Sequence, residues 1–338
     1  MSVRQPQRIL EVESLRVEYR LRRSIVPAVD GVDLSVGGGE RVGVVGESGS
    51  GKSTLAFSIM RLVRPPGVIA GGSIRLHGAD LTTLSENEMI GVRGSEMAMI
   101  YQDPLTYLNP VLRVGDQIAE SLISHRRLER REARNEAIRL LERLHLPSPR
   151  SIAEAFPHHL SGGQRQRIII GIAIACRPKL LIADEPTTAL DVTVQAEILK
   201  LIDELVVELG MSLLLISHDL AIVAALCERV YVMYAGRFVE TGPIESVYRA
   251  PKHPYTEALL GASVTLLEPR SRFRTIPGAP PDLAHLRSGC RFADRCPLRM
   301  DICAQYPPAF PVGSNWTASC WVHADARTDE SPRVSRPR

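Results

Sequence analysis

The stretch Gly46-Glu47-Ser48-Gly49-Ser50-Gly51-Lys52-Ser53 decides the fold of this chain. Its form, G-x-x-x-x-G-K-S/T, is that of a phosphate-binding loop. Residues 41–45 before it are typical of a short buried strand, and residues 54–62 after it are typical of a helix. Glycines let successive N–H groups wrap a phosphate, and the helix behind the loop adds the positive end of its dipole. The stretch therefore predicts a nucleotide-binding site in an α/β protein.

Two side chains of the loop are predicted to act directly on a triphosphate. Lys52 would place a positive charge between the β- and γ-phosphates, and the Ser53 hydroxyl would ligate Mg²⁺. The predicted nucleotide-binding residues of this segment are Gly46, Glu47, Ser48, Gly49, Ser50, Gly51, Lys52, Ser53 and Thr54.

Length and composition indicate a large globular protein of two or three domains. The chain has 338 residues, of which 44% are hydrophobic, and no apolar run reaches the ~18 residues that would span a bilayer. Residues 1–8 are polar and basic, without the apolar segment of a signal peptide. A cytosolic location is therefore expected. The net charge of +3 is too small to indicate nucleic acid as a partner.

Two segments before the loop predict a small antiparallel sheet beside the nucleotide core. Residues 9–19 and 29–36 alternate apolar and polar side chains, as half-exposed strands do. Tyr19 lies at the end of the first segment. The pattern alone favours a strand aromatic that covers the core over a ring that stacks on adenine.

Residues 105–160 predict a helical insertion, with amphipathic helices over 116–123 and 130–146. The sequence Leu160-Ser161-Gly162-Gly163-Gln164 then precedes a helix predicted over 165–176. Ser161 is a good N-cap, and the two glycines leave N–H groups bare. This is either an ordinary capped helix or a second phosphate-binding helix start. A second such site is useful if it serves the nucleotide of another subunit.

Polar side chains follow three predicted strands of the core. Gln102 ends the strand 97–101, Asp184 and Glu185 end an apolar strand, and His218 lies at the tip of the strand 212–216. Each alone is more typical of a turn or loop residue. Together, downstream of a phosphate-binding loop, they predict a site in which Gln102 and Asp184 help hold Mg²⁺ and Glu185 polarises water. His218 would sense the γ-phosphate.

This series of motifs, completed by Ala189-Leu190-Asp191, resembles the ATP-binding-cassette ATPases over roughly residues 7–245. The resemblance implies a RecA-like P-loop NTPase core, an antiparallel β subdomain and an inserted helical subdomain at about 103–165. It also implies ATP as the nucleotide and a head-to-tail dimer of two such ATPase subunits, either identical copies or paralogues. In that dimer Ser161 and Gly163 of one subunit close over the ATP that Lys52 of the other subunit holds.

The resemblance also implies roles for individual residues. Glu185 would be the catalytic base, His218 the γ-phosphate switch and Gln102 the link to a membrane partner. Tyr19 becomes the expected adenine-stacking residue. Outside the loop, the implied ATP-binding residues are Tyr19, Ser161, Gly162, Gly163, Gln164 and Asp191.

Residues 251–256 and 276–280 resemble the C-terminal extension of oligopeptide, dipeptide and nickel importer ATPases. That branch implies an ATP-hydrolysing subunit bound peripherally at the cytoplasmic face of the plasma membrane. Its partners would be transmembrane permease subunits and, indirectly, a substrate-binding protein. An importer of nickel or another small solute, and an ATPase of this family without a transport role, are the alternatives. The expected domains are 1–245, an extension over 246–324 and a disordered tail over 325–338.

The extension holds four cysteines, Cys290, Cys296, Cys303 and Cys320, separated by five, six and sixteen residues. Because structural disulfides are disfavoured in the cytosol, clustered thiols in a segment with little core suggest a metal site. The spacing leaves an iron–sulfur cluster and zinc equally open, with free thiols as the remaining alternative. The family resemblance implies a 4Fe–4S cluster, with Zn²⁺ as the alternative.

Overall fold

A computed structural model describes residues 8–188, 190–262 and 276–328 of the chain. The strands are β1 (Arg8–Arg20), β2 (Ile25–Gly37), β3 (Arg41–Val45), β4 (Gly67–Leu76), β5 (Ala79–Asp80), β6 (Met97–Ile100), β7 (Leu180–Asp184), β8 (Ser212–Ser217), β9 (Arg229–Tyr234), β10 (Arg237–Pro243), β11 (Phe310–Gly313) and β12 (Trp316–Ala318). The α-helices are α1 (Lys52–Ile59), α2 (Glu86–Val92), α3 (Pro104–Tyr107), α4 (Val114–Arg126), α5 (Arg130–Arg143), α6 (Pro149–Glu154), α7 (Gly162–Ile174), α8 (Val192–Leu209), α9 (Leu220–Leu226), α10 (Ile244–Arg249) and α11 (Pro254–Ala262). No helix within the described ranges is long and apolar enough to span a bilayer.

The larger sheet has eight strands in the order β11-β12-β10-β9-β3-β8-β7-β6. Strands β3, β8, β7 and β6 are parallel neighbours. Every residue of β7 and β8 is buried, as expected for parallel strands covered on both faces. The carboxyl ends of these four strands therefore meet at one edge of the sheet, where α/β proteins bind ligands.

The smaller sheet is antiparallel, in the order β2-β1-β4-β5. Both predicted segments, 9–19 and 29–36, lie within its strands β1 and β2. Their buried positions, among them Leu10, Leu15 and Val29, pack with β3 and α1 in one apolar cluster. The sequence-based prediction of an antiparallel sheet beside the nucleotide core is confirmed.

Helices α4, α5 and α6 form the predicted helical insertion between β6 and β7. Ile118 and Leu122 of α4 and Ala137 and Leu141 of α5 are fully buried. The helix after Ser161 begins at Gly162 rather than at residue 165, so the predicted start was wrong by one turn. The reason is the cap: Ser161 accepts the Gln164 N–H, which allows both glycines to form the first turn.

The extension contains regular elements that join it to the core. Strand β12 pairs with β10 and β11 pairs with β12, so these strands continue the core sheet. The buried carboxylate of Glu240 fixes this junction because it accepts hydrogen bonds from Lys252 N, His253 N and Trp316 Nε1 at 2.8–2.9 Å. Of the tail predicted to be disordered, residues 325–328 belong to a short 3₁₀ helix, and residues 329–338 lie outside the described residues.

Candidate active site

The loop between β3 and α1 needs glycine at defined positions. Gly51 has φ of +106°, and a Cβ added there would lie 2.3 Å from Ala28 O. A Cβ on Gly46 would lie 2.1 Å from Met233 O. Because no side chain fits at either position, both glycines are required by the fold of the loop as well as by phosphate binding.

Lys52 is buried at the start of α1, with only 4% of its surface exposed. Its Nζ donates to Gly46 O at 2.7 Å and to Glu47 O at 3.0 Å, and it lies 3.7 Å from Glu185 Oε1. Burial lowers the pKa of Lys52, and the neighbouring carboxylates oppose this effect. The ammonium group is thus held over the loop, where a bound phosphate would be its counter-ion.

Two of the three predicted magnesium ligands, Ser53 and Asp184, lie beside each other. Ser53 Oγ donates to Asp184 Oδ1 at 3.1 Å. Burial, with a smaller contribution from the Glu185 charge, raises the pKa of Asp184 to about 6. A hydroxyl and a carboxylate are hard oxygen donors that suit Mg²⁺, so the chemistry of this pair fits the predicted ion.

We expect Asp184→Asn to stabilise the nucleotide-free protein. The raised pKa means that the carboxylate costs the folded state about 3 kcal/mol above pH 6. The folded protein holds this proton more tightly than the unfolded chain, so the cost is complete at pH 8 and mostly absent at pH 4. Urea unfolding in EDTA should show a gain for the variant at pH 8 that largely disappears at pH 4. Glu120→Gln, an exposed position on α4, is the control, and an equal gain at both pH values would contradict the prediction.

Glu185 is the centre of a polar cluster at the sheet edge. Its φ of +46° is unusual for a residue with a side chain and turns the chain sharply after β7. Its Oε2 accepts hydrogen bonds from Thr188 Oγ1 at 3.0 Å and from Gln102 Nε2 at 3.4 Å. The same oxygen lies 3.2 Å from His218 Nδ1. The hydrogen bond to His218 and the Lys52 charge lower the pKa of Glu185, and the same hydrogen bond raises the pKa of His218.

The structure therefore brings together the polar residues predicted at three strand ends. Gln102 follows β6, Glu185 follows β7 and His218 follows β8. Gln102 and His218 both contact Glu185, which in turn lies 3.7 Å from Lys52 of the loop. A carboxylate that stays charged at neutral pH, flanked by an amide and an imidazole, can accept a proton from a water molecule. The arrangement suits in-line attack of water on a terminal phosphate.

Other predicted site residues lie apart from this cluster. Tyr19 is half-buried near the end of β1. Its ring lies close to the backbone of Gly67, because a Cβ added to that glycine would lie 2.9 Å from Tyr19 Cε1. The hydrogen bonds of Ser161 and Gln164 form a capping box within their own turn. Gly163 instead faces Val194 of α8, the helix that the Asp191 carboxylate caps at its start.

The four cysteines of the extension are free thiols within one neighbourhood. Burial, and then the nearby Cys303, Cys320 and Cys296, raise the pKa of Cys290 to about 11. Cys290 N also donates to Cys303 O at 2.9 Å. Their chemistry is that of a soft metal site, but no three His, Cys, Asp or Glu side chains in the described ranges are arranged to hold a metal ion. The predicted iron–sulfur or zinc site is therefore not supported by the side-chain geometry.

Sequence reasoning missed three residues that touch the site. Thr188 donates to Glu185, Tyr255 Oη accepts Glu47 N–H at 2.7 Å, and Arg295 pairs with the Glu47 carboxylate. Thr188 is only three residues from Glu185, so local turn chemistry was a usable signal. Tyr255 and Arg295 lie more than 200 residues from the loop, and no pattern in one sequence connects them to it.

Comparison with known proteins shows the family to which this chain belongs. Residues 29–188 match the family model described as ABC transporter, and residues 239–303 match the model described as oligopeptide/dipeptide transporter, C-terminal region. The chain belongs to the ATP-binding-cassette family, as the order of its motifs predicted.

The similar relatives of this chain include proteins named for oligopeptide transport and peptide import. The chain is 44% identical over 325 residues to the oligopeptide transport ATP-binding protein AppD of Bacillus subtilis (strain 168), covering 96% of this chain and 99% of that protein. It is 47% identical over 330 residues to a putative peptide import ATP-binding protein of Brucella abortus (strain 2308), covering 94% and 97%.

Among solved structures, two ATP-binding-cassette transporter proteins align with most of this chain. The dimeric post-hydrolysis state of the ATP-binding cassette MJ0796 with ADP and Pi aligns with a TM-score of 0.63 at 27% identity, covering 70% of this chain and 98% of that one. The cbiO1 protein from Clostridium perfringens, part of the transporter complex cbiONQ, aligns with a TM-score of 0.61 at 28% identity, covering 72% and 92%.

Proposed function

We propose that this protein is the ATP-hydrolysing subunit of an importer for oligopeptides or dipeptides. The observation that carries the proposal is the likeness to relatives named for oligopeptide transport and peptide import over almost their whole length, extension included. The cluster around Glu185, next to Lys52, supplies the chemistry that such a subunit needs. An importer of nickel or another small solute, and a non-transport ATPase of the family, are the alternatives.

In the proposed reaction the loop and Lys52 bind the phosphates of ATP, and Ser53, Asp184 and Gln102 would hold Mg²⁺, which supplies charge neutralisation. Glu185 accepts a proton from the attacking water, and His218 positions that water against the γ-phosphate. Tyr19 stacks on the adenine. Most of the rate enhancement would come from positioning and charge stabilisation rather than from covalent chemistry.

The proposed assembly is a head-to-tail pair of ATPase subunits, identical or paralogous, on transmembrane permease subunits at the cytoplasmic face of the membrane. Ser161, Gly162, Gly163 and Gln164 of one subunit, with its Asp191, complete the pocket of the other. The capped but exposed position of Ser161 supports this arrangement, because its helix start is open to a partner's phosphate. A substrate-binding protein would deliver the peptide to the permease.

Purification of the tagged chain from detergent-solubilised membranes, followed by uptake assays, tests the function. We expect permease subunits to co-purify and reconstituted vesicles to take up a labelled peptide only with ATP. Nickel uptake without peptide uptake would replace the substrate by the first alternative. ATP hydrolysis with no membrane partner would favour the non-transport alternative.

We also propose that Cys290, Cys296, Cys303 and Cys320 hold a 4Fe–4S cluster, with Zn²⁺ as the alternative. Support comes from the thiol chemistry and the common neighbourhood of the four side chains, whereas their arrangement within the described residues does not itself form a metal site. We expect anaerobically purified protein to absorb visible light and to contain about four iron atoms per chain. A variant with Cys303→Ser should lose both, whereas Cys227→Ser, at a buried cysteine of the core, should not. Zinc without iron would refute the cluster, and neither metal would refute the metal site.

The proposed division of the chain follows the same comparison. Residues 1–245 would form the nucleotide-binding domain, with the helical subdomain at about 103–165, and residues 246–324 the importer-specific extension. The match of 239–303 to the C-terminal-region model supports a boundary near 245. Because β12 pairs with β10, we expect truncation after residue 245 to expose a sheet edge and cause aggregation.

A further inference from the structure

Arg295, in the extension, makes a partly buried contact with the phosphate-binding loop. Its Nη1 donates to Glu47 Oε2 at 2.7 Å and its Nη2 to Glu47 Oε1 at 3.1 Å, a two-pronged pairing. Its Nε donates to Pro277 O at 2.8 Å, and the arginine is only 8% exposed. The guanidinium plane is thus fixed by the extension on one side and by the loop on the other.

Tyr255, at the start of α11, makes the second contact. Its Oη accepts the backbone N–H of Glu47 at 2.7 Å. The tyrosine is fully buried, and its ring packs against Tyr234 and Phe292 with centroids 4.5 and 5.4 Å away. The hydroxyl therefore has a defined position behind the loop.

The segment that carries Arg295 also contacts the loop indirectly, through the turn between β9 and β10. Arg291 donates to Ala235 O and pairs with Asp30, which fixes the turn between β9 and β10. Within that turn, Gly236 N donates to Ser50 O at 2.8 Å. The residues between Cys290 and Cys296 thus support the loop at two points, Glu47 directly and Ser50 through the turn.

We propose that Arg295 and Tyr255 are positioning residues for the phosphate-binding loop: they hold Glu47 so that the loop is already shaped for a triphosphate. Neither side chain needs to touch the nucleotide. A loop that is ordered in advance loses less conformational freedom on binding, so these contacts raise the affinity for ATP. The proposal rests on the proposed function because it takes ATP as the ligand of the loop.

The contacts should stabilise bound ATP and the transition state by the same amount. A positioning role can therefore be distinguished from a catalytic role by its effect on KM and kcat. Loss of the contacts should raise the KM and Kd for ATP and leave kcat at saturating ATP within about two-fold. Arg295→Met should weaken ATP binding about ten-fold, a step of about 1.4 kcal/mol. Arg295→Lys keeps the charge without the two-pronged geometry and should weaken binding about three-fold. Arg299→Met, at an exposed arginine paired with Asp294, is the matched control and should leave Kd unchanged.

Equilibrium dialysis with ATP and Mg²⁺ on the full chain measures Kd in a Glu185→Gln background, and steady-state assays give KM and kcat in the otherwise unaltered chain. Thermal unfolding shows whether each variant folds. If Arg295→Met does not fold, Tyr255→Phe, which removes only one hydroxyl, is used in its place. It should weaken ATP binding about three-fold. Adding Glu47→Gln to Arg295→Met should weaken binding less than two-fold further, because the two residues act as one pair.

Wild-type affinity in folded Arg295→Met, or in Tyr255→Phe where Arg295→Met does not fold, would overturn the proposal. So would a drop in kcat at unchanged KM, or independent effects of Glu47→Gln and Arg295→Met. Failure of the proposed function is a different result, because it would show in the unaltered chain itself, as missing peptide uptake or missing ATP binding and hydrolysis, and not as a difference in Kd between the variants.

Discussion

Glu185→Gln should reduce ATP turnover by about 10²–10⁴-fold while ATP binding stays within three-fold of the unaltered chain. The substitution keeps the size of the side chain and its hydrogen-bonding contacts to Thr188 and His218 but removes its ability to take a proton. The loop and Lys52, which hold the phosphates, are unchanged. Single-turnover assays of the purified complex, together with equilibrium dialysis, measure the two quantities separately.

The control for this variant is Glu204→Gln, an exposed carboxylate on α8 that pairs with Lys200. It should leave turnover and binding unchanged. Turnover within two-fold of normal in Glu185→Gln would remove Glu185 from the role of base. Loss of ATP binding would instead mean that the carboxylate has a structural role beside Lys52, from which it lies 3.7 Å away.

Ser161→Arg should reduce turnover about 100-fold or more in the assembled complex. In the proposed dimer this turn donates N–H groups to the γ-phosphate held by the other subunit, and donors of this kind contribute about 10²–10³-fold to the rate. ATP binding to the loop of the same chain should change little, because the hydrogen bonds of Ser161 stay within its own turn.

Two quantities are measured for Ser161→Arg: the ATPase rate of the assembled complex and the affinity of the isolated chain for ATP. Ser151→Arg, an exposed serine on the nearby helix α6, introduces the same side chain outside the proposed interface and is the matched control. Full turnover with arginine at position 161 would contradict a pocket that two chains share.

The sequence predicted the parts of the site that depend on strand order. Gln102, Glu185 and His218 each follow a buried parallel strand, and such strands must end at the same edge of a sheet. The prediction needed only short-range patterns and one topological rule. The same holds for Ser161, whose side-chain cap is a local interaction over three residues.

Contacts between distant parts of the chain could not be predicted in this way. Arg295 is 248 residues from Glu47, and its place in the irregular extension follows from packing rather than from periodicity. The pairing of β12 with β10 was missed because three-residue strands carry almost no alternating pattern. The positive φ of Glu185 likewise has no signal in the sequence, since glycine usually takes that conformation.

The central claim is that one copy of this 37.2 kDa chain supplies only half of each ATP pocket. The most direct test is to measure molecular mass and ATPase rate per chain on the same samples across a dilution series. We predict that the rate per chain falls toward zero as the mass falls to that of a single copy. A single copy that hydrolyses ATP at the full rate of the assembled protein would contradict the account.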